Sequence, residues 1–395
     1  MSSKLFVIAL IYLFASLPLL ADFQGQSSQT PATMELEVAN NEFKVLSYNL
    51  YNLFDAEHDE GKSDWTWLPL NYPGKYIKCQ ELSNEYYRKE CQTTNWTQEK
   101  LEMKVRQLAR VVRLQGSLPD LMAVQEIENG KALGLLQKEL GYERLVITNS
   151  PDRRGIDVGL MFNEDKLEYI EHEEINISDI LEAEFGLNVK TRNILRVHFK
   201  PKFGNNKKVI GVYVNHWPSQ SKGSIFRYNA SQILRNHIDE QTNTIGSSNY
   251  YVIAMGDFNT IDADSPHPFY HVMHNPLWKN YLVDVQSHSF DVGNPMRFKM
   301  PIGTFWYKRG GIFNQLDRIF ISKNLRSPES LAVVPDSFRI VGTEMNSRTW
   351  YYKDRNGNFH PTEHYIPLRS NFHTTDESRA GFSDHYPVAV KFRFP

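Results

Sequence analysis

The alternation of apolar and polar residues along the chain predicts many short strands. An alternating segment at Lys44–Leu50 indicates a strand, and the continuous apolar run within Pro119–Gln125 indicates a strand that is buried on both faces. Further strands are predicted at Ile156–Phe162, Ile194–Phe199, Val209–Asn215, Tyr250–Met255, Gly303–Trp306, Leu316–Ser322 and Tyr386–Phe394. The segments between them decide how these strands are layered.

Three of those segments show helical signals. Thr97 precedes an apolar stripe of helical spacing and is predicted to cap a first helix, and Asn129 is predicted to cap a second. A third helix is predicted from about Ile225 to Gln241. Strands with helices laid outside them indicate a layered α/β architecture. Two sheets packed face to face and one open sheet would both accommodate this pattern.

The N-terminal residues carry an export pattern. Lys4 precedes an apolar run from Leu5 to Leu20, and the small residue Ala21 follows that run. We therefore predict a signal peptide at residues 1–21, a flexible leader at residues 22–41 and a secreted or periplasmic protein without a membrane span after cleavage. An uncleaved membrane anchor is the alternative, because the run is almost long enough to cross a bilayer.

The remaining residues, 42–395, are predicted to form one domain with an insertion loop at residues 55–96. A second surface loop is predicted at Thr343–Ser378, which is rich in aromatic and turn-forming residues. The two cysteines, Cys79 and Cys91, lie in the insertion and lack the nearby histidines of a zinc site. An exported protein meets oxidising conditions, so a disulfide is favoured over two free thiols.

Composition excludes one class of protein. The chain has 395 residues, of which 41% are hydrophobic and 23% are charged, and its formal net charge is −2. This is an ordinary globular balance, without the basic excess of a nucleic-acid coat protein. An enzyme that contacts a few phosphates in a metal-lined cleft remains compatible with it.

Polar residues mark the ends of the predicted strands, where rigid backbone positions side chains accurately. They are Asn49, Glu126, His216, Asp257, Asn259, Asp317, Asp384 and His385. Each alone also fits a turn residue or a surface ion pair. Together they supply oxygen ligands without thiolates, which suits Mg²⁺ or Mn²⁺ better than zinc. Phosphodiester hydrolysis requires a metal, a group that orients water and hydrogen-bond donors to phosphate, and this set holds candidates for all three.

The order of the motifs that carry these residues resembles that of a known superfamily. The motifs are YNLYNLF, QEIEN, NHWPS, GDFN, LDRIFIS and SDHYPV, and they resemble those of the endonuclease/exonuclease/phosphatase superfamily from about Val45 to Phe394. That superfamily includes pancreatic-type deoxyribonucleases, sphingomyelinases and inositol-phosphate 5-phosphatases. The resemblance implies a four-layered α/β sandwich, with two packed mixed sheets flanked by helices, and a hydrolase of phosphoric esters.

The resemblance also implies a metal site. Asn49 and Glu126 would bind the divalent ion, with Asp384 nearby. Mg²⁺ or Mn²⁺ is the expected ion, and Ca²⁺ is an alternative.

The catalytic roles follow from the same resemblance. Asp257 would orient or deprotonate the attacking water, with help from the Asn259 amide. His216 and His385 would donate hydrogen bonds to the scissile phosphate. Asp317 would hold His385 in its useful tautomer and favour its charged form.

The substrate is predicted to be nucleic acid. NHWPS followed by Arg227, and the GTFWYKRGG block, look like those of secreted bacterial nuclease-like members. We expect an endonuclease, active as a monomer on DNA or RNA, in which Arg192, Arg227 and Trp306 contact the substrate. A sphingomyelinase-like phosphodiesterase or a phosphatase of the same fold is one alternative. An exported binding module without catalysis is the other.

Overall fold

The computed structural model describes residues 35–203, 207–287, 300–327, 330–354 and 356–395. The predicted signal peptide and residues 22–34 of the predicted leader lie outside the described residues, so both stay predictions. Within the described ranges, no helix is long and apolar enough to cross a membrane.

The first large sheet of the described chain contains both its first long strand and its last strand. These strands are β1 (Glu42–Leu53), β2 (Leu121–Ile127), β3 (Arg144–Ile147), β4 (Asp157–Phe162), β13 (Ala332–Val333), β14 (Arg339–Ile340) and β17 (Val388–Arg393). Their order is β13-β17-β1-β2-β4-β3, and β14 also pairs with β17. β1 and β2 run parallel, whereas β17 runs antiparallel to β1.

The second large sheet is built from the middle of the chain. Its strands are β5 (Leu167–Ile175), β6 (Ile194–Pro201), β7 (Val209–His216), β8 (Tyr250–Asp257), β9 (Leu282–Asp284) and β12 (Asp317–Ser322). Their order is β5-β6-β7-β8-β12-β9. β7 and β8 run parallel, and β12 runs antiparallel to β8.

The two sheets pack face to face over one apolar core. Val45 and Leu121 of the first sheet belong to the same buried cluster as Val212, Ile253 and Ile319 of the second. Each of these side chains is fully buried. Burial of this shared face excludes the single open sheet that the sequence pattern also allowed.

Helices cover both outer faces. α3 (Gln98–Arg113) and α4 (Gly130–Leu140) pack on the first sheet, and α5 (Ile177–Phe185) and α6 (Ser224–Ile245) pack on the second. The side chains of Thr97 and Asn129 cap α3 and α4 as predicted. The predicted four-layered α/β sandwich is thus confirmed.

The insertion at residues 55–96 is not the simple loop that the sequence suggested. It holds a short 3-10 turn at Trp65–Trp67, α1 (Lys75–Gln80) and α2 (Glu85–Thr93), and we call it the helical insert. A disulfide joins Cys79 to Cys91, with the Cα atoms 5.5 Å apart. The two short helices are therefore tied to each other by a covalent bond.

The prediction of a surface loop at Thr343–Ser378 is wrong. This segment contains the hairpin of β15 (Ser347–Lys353) and β16 (Phe359–Pro367). A smaller hairpin of β10 (Phe305–Tyr307) and β11 (Ile312–Asn314) contacts it. Trp306 of the small hairpin packs on Trp350 of the larger one, with ring centroids 5.7 Å apart, so aromatic side chains hold these strands together.

Strand direction brings the predicted site residues to one edge of the sandwich. β1 and β2 are parallel, so Asn49 and Glu126 lie at neighbouring carboxyl ends. β7 and β8 place His216 directly beside Asp257, and β12 places Asp317 on the other side of Asp257. The antiparallel β17 begins at this same edge, just after Asp384 and His385.

Candidate active site

The eight polar residues predicted at strand ends do meet at this edge. The amide nitrogen of Asn49 donates to Glu126 Oε1 at 3.3 Å and to Asp257 Oδ2 at 3.1 Å. One side chain thus links the first sheet to the second. The amide oxygen of Asn49 accepts from the backbone nitrogen of Tyr51 at 3.0 Å, which fixes the direction of the amide.

Backbone strain is concentrated at the same place. In the described chain the non-glycine residues with positive φ are Tyr51 at 53°, Asn52 at 62°, Glu126 at 60°, Asn259 at 48° and Asp336 at 54°. All but Asp336 belong to the motifs that form the site. Such conformations cost about 1–3 kcal/mol each and cluster at functional sites. Here they turn the Glu126 and Asn259 side chains away from ordinary strand geometry.

Asp257 is the most central carboxylate of the site. It is 2% exposed, and the backbone nitrogen of Asn259 donates to its Oδ1 at 2.8 Å. The pKa of Asp257 is raised to about 7. Burial is the largest cause, repulsion from Asp317 and Glu126 adds to it, and attraction to His385 lowers the pKa. A carboxylate with this pKa can both accept and release a proton near neutral pH.

His385 forms a tight pair with Asp317. Its Nδ1 lies 2.7 Å from Asp317 Oδ2, and Asp317 is fully buried. Burial alone would lower the pKa of His385, but Asp317, Asp257 and Asp384 hold it well above its usual value. His385 is therefore a charged donor whose Nε2 lies 4.0 Å from Asp257 Oδ2.

His216 has the opposite protonation state. Burial and the nearby Arg192 and Arg154 hold its pKa well below the usual value. Its Nε2 lies 3.7 Å from Asp257 Oδ2 and 4.0 Å from Glu126 Oε1. His216 is therefore a neutral ring that faces the carboxylates.

The three predicted substrate contacts are buried, and their contact with substrate stays a prediction. Arg227 is 1% exposed, and its guanidinium is taken up by Asp264 at 2.5 and 2.8 Å and by backbone carbonyls. The terminal nitrogens of Arg192 donate to Asp152 and to the carbonyl of Trp217, which follows His216 in the chain. Arg192 therefore holds the backbone beside His216.

Trp306 is also buried, at 8% exposure, within the two hairpins. Because side chains alternate along a strand, its neighbour Phe305 is the one that points to the site. The Phe305 ring lies 5.0 Å from the His385 ring. Phe305, and not the predicted Trp306, therefore has its ring beside a residue of the site.

Three basic residues near the carboxylates were not predicted. Lys104 of α3 is buried, donates to the Tyr51 carbonyl and lies 4.7 Å from the Phe372 ring centroid. Burial lowers its pKa to about 7, although Glu126 and Asp384 oppose this shift. The sequence could have indicated Lys104, because it lies on the apolar face of α3 and a buried lysine needs hydrogen-bond acceptors.

Arg154 and Arg369 carried no such signal in the sequence. Arg154 lies in a turn before β4, pairs with Asp152 at 3.3 Å and interacts electrostatically with Glu126. Arg369 follows β16 and interacts electrostatically with Asp384. Both are placed only by the packing of distant segments.

The donor chemistry of the edge fits a divalent cation. Burial raises the pKa of Asp384 to about 6, and repulsion from Glu126 adds to this effect. Glu126 thus repels both Asp257 and Asp384, and the three supply oxygen donors without a thiolate, as hard cations such as Mg²⁺ prefer. In the described residues no group of three or more acidic, histidine or cysteine side chains is already in ligand geometry. Magnesium sites that retain several waters require few protein ligands.

Comparisons with known structures find proteins that are similar to this chain. The human Nocturnin catalytic domain is 14% identical over 91% of this chain and 97% of that chain, with a TM-score of 0.50. TDP2 of D. rerio, humanized by 14 mutations, is 15% identical over 90% of this chain and 100% of that one, with a TM-score of 0.48. A mannosyl-6-phosphatase of Bacteroides thetaiotaomicron is 15% identical over 89% and 100%, with a TM-score of 0.48.

At 14% identity the likeness to the Nocturnin catalytic domain shows the fold alone. A search of curated proteins finds no match. The sequence profile of the Endonuclease/Exonuclease/phosphatase family, however, matches residues 44–393. That range includes all eight polar residues of the site and most of the chain. The chain therefore belongs to the Endonuclease/Exonuclease/phosphatase family.

Proposed function

We propose that this protein is an exported, metal-dependent phosphodiesterase that cleaves nucleic acid. The superfamily includes nucleases, phosphodiesterases and phosphatases, and its enzymes commonly use divalent metals such as Mg²⁺. The observation that carries the proposal is the continuous network from Glu126 through Asn49 and Asp257 to His385 and Asp317. This network joins the proposed cation ligands, Glu126 and Asn49, to the groups proposed to transfer protons, Asp257 and His385.

Each residue has a role in hydrolysis. Glu126, with Asn49 and Asp384, would hold Mg²⁺ or Mn²⁺, which neutralises charge on the phosphate when bound. Asp257 would orient the attacking water and take its proton, because its pKa of about 7 suits that transfer.

The two histidines would act on the phosphate oxygens. Charged His385 would donate through Nε2, held in place by Asp317. Neutral His216 would donate a second hydrogen bond from the neighbouring strand. Preorganised donors of this kind contribute much of the rate in phosphoryl chemistry.

Export is the second part of the proposal. The apolar run at residues 5–20 has the pattern of a signal peptide, and the Cys79–Cys91 disulfide suits an oxidising compartment. Expression of the full chain, followed by N-terminal sequencing of the exported product, tests this part. A mature N-terminus near Asp22 supports it, and retention of Met1 contradicts it.

The substrate is tested with the mature protein on plasmid DNA, RNA and bis-p-nitrophenyl phosphate. Each is incubated with Mg²⁺, with Mn²⁺ and with EDTA, beside an Asp257→Ala variant. Metal-dependent cleavage of a nucleic acid by the wild type alone supports the proposal and identifies the polymer. Cleavage of the small diester alone keeps the chemistry and overturns the nuclease assignment. No hydrolysis by a folded protein favours the binding module.

A lipid phosphodiesterase is the second candidate. The helical insert exposes Leu70 at 48%, Tyr76 at 63% and Ile77 at 65%, and exposed apolar side chains suit a membrane surface. Release of phosphocholine from sphingomyelin liposomes, without cleavage of DNA or RNA, would favour this candidate.

A further inference from the structure

Two adjacent tyrosines stand exposed in the first turn of α2, in the helical insert. Tyr86 is 64% exposed and Tyr87 is 58% exposed, and their ring centroids are 5.4 Å apart in an edge-on arrangement. The side chain of Asn84 accepts from both of their backbone nitrogens, at 3.0 and 3.3 Å. The start of the helix therefore fixes where these rings emerge.

The helical insert has a rigid base. The ammonium of Lys75 is buried and donates to the carbonyls of Leu68 and Thr94, at 2.5 and 2.7 Å. The indole of Trp96, 1% exposed, donates to the Phe54 carbonyl at 2.9 Å. Together with the disulfide, these contacts keep α2 in place against the sandwich. Large apolar rings on a rigid base lose little conformational entropy when they bind.

Each tyrosine interacts with one of the two arginines near the carboxylates. Tyr86 interacts electrostatically with Arg369, which also interacts with Asp384. Tyr87 interacts electrostatically with Arg154, which does the same with Glu126. The aromatic pair is therefore linked through Arg369 and Arg154 to two carboxylates of the site.

Arginines beside aromatic rings fit one kind of ligand. Single-stranded nucleic acids are bound by cations that hold the phosphates and by aromatic rings that stack on the unpaired bases. The Arg154 side chain is 56% exposed, so it is accessible to a phosphate group of a ligand. A duplex would keep its bases stacked on each other and unavailable to the tyrosines.

We propose that Tyr86 and Tyr87 stack on an unpaired base beside the scissile phosphate, so that this enzyme prefers single-stranded nucleic acid. This inference rests on the proposed phosphodiesterase function and names the substrate form. The tyrosines are substrate-binding groups that do not touch the reacting atoms. Their removal should therefore change recognition of the base and leave hydrolysis of the backbone intact.

The test compares a short single-stranded thymidine oligomer with an abasic tetrahydrofuran oligomer of equal length. The value of kcat/KM is measured for the wild type, for the Tyr86→Ala/Tyr87→Ala double variant and for Tyr76→Ala. Tyr76 is the matched control, because it is 63% exposed in the same insert. We expect the wild type to prefer the thymidine oligomer by on the order of tenfold. The double variant should lose that preference, and Tyr76→Ala should keep it.

Three results would overturn the inference. The first is a wild type that cleaves both oligomers equally. The second is a double variant that keeps the preference, and the third is a double variant that loses activity on both oligomers alike. In each case hydrolysis of the abasic oligomer by the wild type still supports the proposed function. A wild type that hydrolyses neither oligomer overturns the inference, and one that also cleaves neither plasmid DNA nor RNA overturns both proposals together.

Discussion

At the scale of single residues, opposite protonation states of two histidines define the site. His385 is charged because Asp317 and the other nearby carboxylates outweigh its burial, and His216 is neutral because burial and the nearby Arg192 and Arg154 disfavour its charged form. Both rings face Asp257 at distances of 3.7 to 4.0 Å. One carboxylate thus has a charged donor on one side and a neutral ring on the other.

Asp317→Asn tests the charge of His385. The amide keeps the shape of the side chain but removes the negative charge that holds the proton on the ring. We expect kcat on bis-p-nitrophenyl phosphate with Mg²⁺ to fall by about 10²–10⁴-fold. Thermal melting should show a folded protein. A kcat within threefold of wild type would contradict the pairing of Asp317 with His385.

Asp157→Asn tests a buried carboxylate outside the catalytic network. Oδ1 of Asp157 accepts from Ser150 N at 2.7 Å and from Thr148 Oγ1 at 2.6 Å, and an asparagine keeps both bonds. Burial raises the pKa of Asp157 from 3.8 to about 6 in the folded protein, so its ionisation destabilises the fold as pH rises through this range.

The variant should therefore match the wild type in stability near pH 4. At pH 7 and above it should be more stable, by up to about 3 kcal/mol from the pKa difference. Urea unfolding at both pH values measures this change. An equal difference at pH 4 and pH 7 would show that ionisation of Asp157 is not its cause.

The sequence predicted the residues of the network but not their basic neighbours. Asp257 and Glu126 end strands whose positions follow from the apolar pattern, and the resemblance implied that these ends meet. Arg154 and Arg369 lie outside the strands, where no periodicity indicates direction. Arg227 is predicted to contact substrate, and in the structure it pairs with Asp264. The sequence does not predict this pairing, because a single sequence does not show which arginine is buried.

At the scale of elements, regular apolar spacing was the reliable signal. α3, α4 and α6 and the central strands were predicted because their buried faces repeat at helical or strand period. β5 was missed because its exposed face is a run of glutamates, and β3 was missed because it has only four residues. The apolar pattern does not predict the hairpin of β15 and β16, because the aromatic residues of these strands do not alternate with polar ones.

The disulfide makes a prediction about the helical insert. A Cys79→Ser/Cys91→Ser variant loses a cross-link that closes a separation of 12 residues. Loops of this size contribute about 3 kcal/mol in the chain-entropy account. We expect faster proteolysis within residues 55–96 and little change in hydrolysis of bis-p-nitrophenyl phosphate. Equal proteolysis of the variant and the wild type would show that Lys75 and Trp96 suffice to hold the insert.

At the scale of the whole molecule, the sandwich brings distant segments to one edge. Asn49 and Asp257 are far apart in the sequence and meet because two parallel strand pairs present their carboxyl ends together. The order of motifs along the chain predicted this layering through the resemblance. The apolar pattern alone did not, since an open sheet has the same strands.

Binding of a cation should stabilise the whole domain. An ion that binds only the folded state raises stability by about 2.7 kcal/mol at 100 times its Kd. We expect Mg²⁺ or Mn²⁺ to raise the melting temperature by on the order of a few degrees. Glu126→Gln should abolish this rise, and Glu168→Gln, an exposed control on β5, should keep it. A wild type that melts at the same temperature with and without metal would contradict the proposed cation site.

The most direct test of the central claim is metal-dependent hydrolysis by two matched variants. Asp257→Asn and Asp157→Asn each replace one buried aspartate, at 2% and 4% exposure, but only Asp257 belongs to the network. With Mg²⁺ and bis-p-nitrophenyl phosphate, we expect Asp257→Asn to lose on the order of 10³-fold in kcat. Asp157→Asn should keep near wild-type kcat. If Asp257→Asn retained wild-type turnover, the assignment of this edge as the active site would be wrong.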